Sequence, residues 1–162
     1  MQRFHLNIKN ISLRPVRDED IETIYKIYCS TAIEKLSLMH KLPDLQKENF
    51  LKHQFRLQHN HYINNYTNVY LGILENPDSV VGRLYIEEKN DELCIVDITL
   101  LPSFRSQGLG KEILKNILLY ARSGSKKVIL HVENANKAIR LYMKLGFCVV
   151  KDYGVYSLME YK

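Results

Sequence analysis

The residues whose types and spacing favour chemistry lie in the run ITLLPSFRSQGLGK, from Ile98 to Lys111. An apolar run from Leu93 to Leu101 predicts a β-strand. After Gly108 the apolar side chains recur every three or four positions, which predicts an amphipathic helix. The first backbone N–H groups of a helix lack partners within it and carry partial positive charge. A strand, a short polar loop and a helix in this order therefore predict an anion site at the helix N-terminus.

Two glycines, Gly108 and Gly110, stand at the predicted start of this helix. Each costs a helix about 1 kcal/mol relative to alanine, so their presence needs a reason. Glycine has no Cβ, which lets a phosphate group approach the backbone closely. The spacing is neither the GxGxxG of dinucleotide-binding folds nor the GxxxxGK[ST] of P-loops. On its own it is also compatible with a loop that only needs flexible residues.

A second group of candidate residues follows in the run VILHVENANKAIRLYMKLGF, from Val128 to Phe147. Asn136 stands where a helix is predicted to begin, a position at which asparagine side chains cap free N–H groups. Gly146 is a typical helix end. Tyr142 lies inside the helix, where its hydroxyl could donate a proton. Spacing alone favours the simpler explanation, an aromatic side chain packed on the inner face of the helix.

The elements that would position these residues follow from strand and helix periodicities along the chain. Acidic residues from Asp18 to Asp20 predict the start of a first helix, which breaks within residues 30–42. The polar residues from His59 to Asn68 predict a loop after a second helix. The strands at 93–101 and 126–133 are predicted to be parallel, with a right-handed crossover between them. The predicted strands cover residues 11–16, 68–75, 80–88, 93–101, 126–133, 148–153 and 155–161, and the predicted helices begin at 21, 43, 108 and 136.

Together the two segments resemble the GNAT superfamily, the acyl-CoA-dependent N-acyltransferases. Arg105, Gly108 and Gly110 match R/Q-x-x-G-x-G/A, the pyrophosphate-binding signature of that family. The second segment is similar to the family element LxVxxxN-x-A-x-x-LY-x-K-x-GF. Its asparagine-to-tyrosine spacing is one residue shorter than in many members, which makes Asn134 an alternative to Asn136. The resemblance extends from about residue 11 to the C-terminus and includes the order of strands and helices.

The resemblance implies an α/β (α+β) architecture, the GNAT fold, with a mixed central sheet of about six to seven strands flanked by about four helices. The strands at 93–101 and 126–133 would be parallel and splayed. The pantetheine arm of acetyl-CoA would lie between them, with the pyrophosphate on the N–H groups that open the third helix. The cofactor-binding residues implied in this way are Ile98, Thr99, Leu100, Arg105, Gln107, Gly108, Leu109, Gly110, Lys111 and Asn136.

The activity implied by the resemblance is direct transfer of the acetyl group of acetyl-CoA to a primary amine in a ternary complex. Tyr142 occupies the position of the family's general acid, which protonates the departing thiolate. An amine with a pKa near 10.4 costs roughly 4–5 kcal/mol to deprotonate at pH 7, so a base or a water relay is also expected. Asp97 and His131 are the candidate bases, and alternation puts both off the apolar faces of their strands. Either could equally be an ordinary polar side chain on that face.

The acceptor implied first is a small-molecule amine, and a protein or peptide amine is the alternative. A GNAT-fold domain that binds CoA without turnover is a third interpretation, but a tyrosine at position 142 with both glycines intact favours an enzyme. In the family the first helices line the acceptor pocket, here within residues 30–66. Aromatic side chains without an acidic cluster do not favour a polycationic acceptor. The candidate pocket residues are His40, Phe55, His59, His61, Tyr62 and Tyr66.

The composition excludes several other classes of protein. A chain of 162 residues predicts one domain over residues 1–162, with a core from about 11 to 161. No run approaches the ~20 apolar residues of a membrane span, and the N-terminal residues do not resemble a signal peptide. The three cysteines are an odd number and the six histidines are scattered. We therefore expect core cysteines, a reducing cytoplasmic setting and no metal site.

The charge pattern limits the partners. The formal net charge of +5 suits a polyanionic cofactor such as CoA. The chain has no stripe of Lys and Arg and no nucleic-acid-binding motif, so binding to nucleic acid is not expected. Homodimers are common in the GNAT superfamily, which makes a second copy of the chain a candidate partner.

Overall fold

The computed structural model describes residues 4–36 and 43–162, and within them the chain forms seven strands and four α-helices in the predicted order. The strands are β1 (Ser12–Pro15), β2 (Val69–Glu75), β3 (Val80–Glu88), β4 (Glu92–Leu100), β5 (Lys127–Glu133), β6 (Phe147–Asp152) and β7 (Tyr156–Tyr161). The helices are α1 (Ile21–Leu36), α2 (Asp44–Asn65), α3 (Leu109–Ser123) and α4 (Ile139–Leu145). The helix break predicted within residues 30–42 does not occur before Leu36. The rest of that range, which includes His40, lies outside the described residues.

The seven strands form one mixed sheet in the order β1-β2-β3-β4-β5-β7-β6. Neighbouring strands are antiparallel except β4 and β5, which run parallel because α3 carries the chain back along the sheet between them. The predicted architecture, a mixed sheet of six to seven strands with one parallel pair and four flanking helices, is confirmed.

The parallel strands β4 and β5 are paired over only part of their length. They are joined only up to Ile95 and Leu130, although β4 continues to Leu100 and β5 to Glu133. At the same level the register between β4 and β3 shifts by one residue, so that Val96 forms a β-bulge. A bulge bends a strand and increases its twist, which explains why the strands separate here. The gap between the two unpaired strand ends is named the opening.

Alternation along the strands divides the apolar side chains between the two faces of the sheet. One face packs against α3 and α4, and the other packs against α1 and α2. The adjacent residues Ile73 and Leu74 of β2, for example, belong to opposite sides. Burial of an aliphatic side chain of this size contributes about 1.5–3 kcal/mol, so both helix layers are held against the sheet. The opening therefore lies between the two layers.

Helix α2 ends at Asn65, so the loop predicted from His59 to Asn68 is wrong over most of its length. Histidine and asparagine are weak helix formers, but tertiary contacts hold this end of the helix. The hydroxyl of Tyr62 donates to Asp97 of β4 at 2.9 Å, and its ring packs edge-on against Tyr85 of β3 with centroids 5.6 Å apart. Packing of one face, rather than propensity, decides where this helix ends.

Two smaller predictions are wrong in detail. Helix α4 begins at Ile139 instead of Asn136, because the Asn136 side chain accepts a hydrogen bond from the N–H of Ala138 at 2.9 Å and forms a turn before the helix. Cys148, predicted to be a core residue, is exposed, because it follows the buried Phe147 on the edge strand β6 and points to the other face.

A charged cluster fixes the beginning of α1. The guanidinium of Arg14 donates to both carboxylate oxygens of Asp20, at 2.6 and 2.9 Å, and to Glu75 at 2.9 Å. The N–H of Arg17 donates to the same Asp20 carboxylate at 2.8 Å. The hydrogen bonds from Arg14, and then that from Arg17, lower the pKa of Asp20 to about 2. The ionised carboxylate of Asp20 therefore joins β1 to α1.

We expect Asp20→Asn to destabilise the fold by about 1.5–3 kcal/mol at neutral pH, because the charge-assisted hydrogen bonds from Arg14 are lost. The folded pKa of about 2 lies below the ordinary value of 3.8, so this contribution is complete above the ordinary pKa and is lost as the pH falls through about 2. Urea unfolding across this pH range measures it. Asp18→Asn, at an exposed carboxylate of the same turn, is the control. Equal effects of the two substitutions would contradict the prediction.

Candidate active site

The N-terminus of α3 presents a row of backbone N–H groups. Gly108 takes a left-handed conformation (φ +85°) immediately before the helix, and so does Ser106 (φ +60°). The left-handed conformation costs a residue other than glycine about 1–2 kcal/mol, so the loop is held against local strain. The N–H groups of residues 107–111 make no hydrogen bond within the described part of the chain. With the helix dipole added, this arrangement suits an anion.

The two glycines of the loop differ in what they contribute. The positive φ of Gly108 favours glycine, whereas Gly110 has an ordinary helical backbone. A Cβ at position 110 would lie 3.8 Å from the side chains of Leu100 and Leu141, which is an ordinary contact. The backbone therefore depends on glycine at position 108, while the packing around position 110 would accommodate alanine.

The side chains of Arg105 and Gln107 brace this loop. The Nε of Arg105 donates to the carbonyl of Leu100 at 2.7 Å, and its Nη2 donates to the hydroxyl and carbonyl of Ser30 in α1, at 3.1 and 3.3 Å. The Nε2 of Gln107 donates to the carbonyl of Ser103 at 2.6 Å. These contacts hold the loop against β4 and α1. The contacts of both residues with a cofactor stay predictions.

The unpaired end of β4 brings the backbone of residues 98–100 to the opening. These residues pair with β3 on one edge and have no strand partner on the other, so part of their N–H and C=O groups faces the opening. Of the two candidate asparagines, Asn134, directly after β5, is held against the β6–β7 turn by side-chain hydrogen bonds of 2.7–3.1 Å. Asn136 is exposed before α4 and is the better placed of the two to meet a ligand.

Tyr142 lies in α4 with 7% of its surface exposed, and its ring packs edge-on against Phe147 with centroids 5.9 Å apart. Burial, and to a smaller extent the negative charge of Asp97, raises the pKa of Tyr142 to about 12. The hydroxyl is therefore protonated at neutral pH, which is the state that a proton donor requires.

Asp97 is held in a buried ion pair. Arg83 donates to both of its carboxylate oxygens, at 3.2 and 2.7 Å. The hydroxyl of Thr99 donates to it at 2.8 Å and that of Tyr62 at 2.9 Å. The side chains of Arg83 and Asp97 are 3% and 9% exposed. Four hydrogen bonds occupy the acceptor positions of a carboxylate, so Asp97 has little capacity left to take a substrate proton. Its role as a base stays a prediction.

His131 is the first residue of β5 beyond the last one that pairs with β4. Buried and exposed side chains alternate along β5, and His131 is exposed on the face opposite to Leu130 and Val132. Its ring packs edge-on against Tyr156, with centroids 6.1 Å apart. Asp97 stands at the matching level of β4, so the two predicted bases flank the opening on the face covered by α1 and α2.

Arg83 is a site residue that the sequence analysis did not include. The available signal was a single arginine inside the apolar strand VVGRLYIEE, because a buried charge must be paired. Tyr62 was considered only as a pocket residue in a predicted loop. With α2 extended, Phe55, His59, Tyr62 and Tyr66 recur at helical spacing along α2 and its C-cap, and Phe55 stacks on His59 with centroids 5.6 Å apart.

Two further properties of the described part of the chain bear on its function. Within residues 4–36 and 43–162, no group of three or more His, Cys, Asp and Glu side chains is arranged to hold a metal ion. In the same two ranges, no helix is both long enough and apolar enough to cross a bilayer.

Two curated relatives are similar to about half of the chain. A mycothiol acetyltransferase of Corynebacterium glutamicum is 35% identical over 83 residues, which are 49% of this chain and 28% of the relative. The alanine N-acetyltransferase of ribosomal protein bS18 from Haemophilus influenzae is 30% identical over 78 residues, which are 48% of this chain and 53% of the relative. The similarity therefore spans about half or less of the length of these relatives.

The fold is also that of a solved acetyltransferase. The crystal structure of the PaiA N-acetyltransferase from Thermoplasma acidophilum, in complex with coenzyme A, has a TM-score of 0.68 to this structure and 17% sequence identity, over 94% of this chain and 98% of that chain. At this identity the likeness establishes the fold. The model of the acetyltransferase (GNAT) family matches residues 23–147, which is well over half of the sequence. On this evidence, the chain belongs to the acetyltransferase (GNAT) family.

Proposed function

We propose that the protein transfers the acetyl group of acetyl-CoA to the primary amine of a small molecule, by direct attack within a ternary complex. The observation that carries the proposal is the opening between β4 and β5, with the start of α3 near one end, where the N–H groups of residues 107–111 make no hydrogen bond within the described residues. Membership of the family, and relatives that are acetyltransferases, support the same reaction.

Acetyl-CoA is the donor that this geometry suits. Its pyrophosphate would lie on the N–H groups of residues 107–111, where the helix dipole favours an anion. Its pantetheine arm would follow β4 and bond to the main chain of residues 98–100, as an added strand does at a sheet edge. The exposed amide of Asn136 would bond to the arm from the side of α4. Together these contacts would orient the thioester in the opening.

Tyr142 acts as the general acid in this proposal. The amine nitrogen attacks the thioester carbonyl carbon, and a C–N bond forms. The tetrahedral intermediate then collapses by breaking the C–S bond, and the phenol of Tyr142 donates its proton to the departing sulfur. The proton released by the amine returns to the Tyr142 phenolate through solvent. An ordinary thiol has a pKa of about 8.5, so at neutral pH the departing sulfur ends as the thiol, and a proton supplied during C–S cleavage assists its departure. The pKa of about 12 keeps Tyr142 protonated until that step.

We assign the role of base to His131 and a positioning role to Asp97. The attacking amine must lose a proton, and an imidazole can accept one near neutral pH, directly or through a water molecule. The ring of His131 is exposed beside the opening. Asp97 is on the other strand at the same level, but its carboxylate already accepts four hydrogen bonds.

The described side chains on the acceptor side of the opening include aromatic rings and a neutralised ion pair. Phe55, His59 and Tyr62 project from α2 on this side. The Asp97 carboxylate there is neutralised by Arg83. A polyamine would gain little from this surface, because its second ammonium group would meet no unpaired carboxylate among these side chains. We therefore propose an acceptor that carries a single amine.

Release of CoA thiol from acetyl-CoA, measured with one amine at a time, tests the proposed function. We expect turnover with at least one monoamine, and binding of acetyl-CoA in isothermal titration without any amine. Binding of CoA without release of thiol in the presence of any amine would indicate a non-catalytic CoA-binding domain. Failure to bind either acetyl-CoA or CoA would overturn the proposal.

We expect Gly108→Ala to weaken the binding of acetyl-CoA about tenfold, because alanine at a positive φ costs about 1–2 kcal/mol and shifts the loop. Gly154→Ala is a matched control, since Gly154 has nearly the same φ (+86°) in the β6–β7 turn, and no described atom lies within 4 Å of a Cβ at either position. Isothermal titration gives both dissociation constants. Equal affinities of the two variants would argue against an anion site at this helix.

Tyr142→Phe should lower kcat about 10²- to 10⁴-fold, the range typical of a lost general acid, and leave the dissociation constant of acetyl-CoA unchanged. Tyr161→Phe is the control, because Tyr161 packs on the same Phe147 ring with centroids 5.6 Å apart. Steady-state kinetics and titration separate the two effects. A similar small loss in both variants would mean that Tyr142 only fills the core.

His131→Gln should lower kcat/KM for the amine about 10²- to 10⁴-fold at neutral pH. The loss should shrink as the pH rises, because the amine then loses its proton to water without help from the enzyme. His53→Gln, at an exposed histidine of α2, is the control. The test is the pH dependence of kcat/KM in the wild type and in His131→Gln. If the two enzymes differ by the same factor at every pH, His131 is not the base.

A further inference from the structure

We propose that Tyr62 positions the acceptor amine, because its hydroxyl oxygen, held in place by Asp97, can accept a hydrogen bond from the amine N–H at the opening. The inference rests on the proposed function and adds a residue and a contact on the acceptor side. In this arrangement Asp97 is a positioning residue, which acts on the substrate through Tyr62.

The hydroxyl of Tyr62 has one orientation set by its neighbours. It donates its hydrogen to the Asp97 carboxylate at 2.9 Å, while the ring is fixed edge-on against the fully buried Tyr85, with centroids 5.6 Å apart. Burial, followed by the charge of Asp97, raises the pKa of Tyr62 well above its usual range, so the phenol stays neutral and keeps this hydrogen. Only the lone pairs of the oxygen remain for a ligand, and they require a donor such as an amine N–H.

Asp97 is itself immobilised. The bidentate pair with Arg83 and the hydrogen bond from Thr99 fix both carboxylate oxygens. Arg83 donates in addition to Gln58 of α2 at 3.0 Å, one helical turn before Tyr62. Two polar links therefore fasten α2 to the sheet next to the opening. Donation to a carboxylate also polarises the O–H bond of Tyr62 and makes its oxygen a better hydrogen-bond acceptor.

The position of Tyr62 matches the point where the acceptor must enter. Asp97 follows directly after the bulge at Val96, where β4 leaves β5, so the hydroxyl of Tyr62 is one hydrogen bond from the edge of the opening. Tyr142 belongs to the apolar cluster on the opposite face of the sheet. Tyr62 as a whole is half-buried, so part of this side chain remains exposed.

A bisubstrate analogue tests the inference without need for the natural acceptor. In this analogue the sulfur of CoA is joined through an acetyl group to the nitrogen of phenethylamine, which places an amide N–H where the amine would be. Isothermal titration compares its dissociation constant with that of CoA in the wild type, Tyr62→Phe and Tyr120→Phe. Tyr62→Phe removes one oxygen atom and keeps the ring contacts. Tyr120→Phe is the matched control, at a half-buried tyrosine of α3 whose hydroxyl also donates to a carboxylate, that of Glu88, at 3.0 Å.

We expect the wild type to bind the analogue more tightly than CoA, and Tyr62→Phe to reduce this preference about five- to tenfold, the effect of one lost hydrogen bond. The affinity for CoA should not change, and Tyr120→Phe should keep the wild-type preference. If Tyr62 has only a structural role, its substitution will lower the melting temperature and leave the preference unchanged.

The outcomes separate the inference from the proposed function. A wild type that binds CoA but does not prefer the analogue, or an unchanged preference in Tyr62→Phe, would overturn the inference and leave the proposed function standing. A wild type that does not bind CoA would overturn the proposed function, and the inference with it.

Discussion

The separation of β4 from β5 after Ile95 and Leu130 is the constraint on which the rest of the site depends. In a closed sheet the backbone groups of both strands would be satisfied by each other and could bind nothing else. The bulge at Val96 ends the pairing and leaves these groups without a strand partner in the middle of an otherwise continuous sheet. Helix α3 then begins a few residues beyond the end of β4, so its N-terminal N–H groups lie near the same gap.

The two faces of this gap have different chemical character. On the face of α3 and α4, Tyr142 is packed among apolar side chains, and burial keeps its hydroxyl protonated. On the face of α1 and α2, a buried ion pair between Arg83 and Asp97 lies under a helix rich in tyrosine and histidine. Keeping a proton donor on one face and a polar, aromatic surface on the other allows the two environments to hold different protonation states.

The two helix layers are also attached to the sheet in different ways. The larger buried apolar cluster joins α3 and α4 to the sheet, and the smaller one consists of Ile24, Ile27, Phe55 and Ile73. Polar links supplement it, from Arg14 to Asp20, from Arg105 to Ser30 and from Tyr62 to Asp97. Apolar burial adapts to small changes of shape, whereas a hydrogen bond requires one distance and one angle. The position of α1 and α2 is therefore set by a few specific side chains.

The sequence by itself determined the features that depend on neighbouring residues. The order of the elements, the parallel pair and the anion-binding geometry at Gly108 follow from periodicity and turn chemistry, which are local. Only the tertiary structure decided the end of α2, the pairing of Arg83 with Asp97 and the β-bulge at Val96. Counting in twos from Ile98 and Leu100 puts Asp97 off the apolar face, as predicted, whereas counting from Leu93 and Ile95 puts it on that face, because the bulge adds one residue between the two pairs. Such shifts depend on the register between strands distant in sequence, which no single segment of the chain contains.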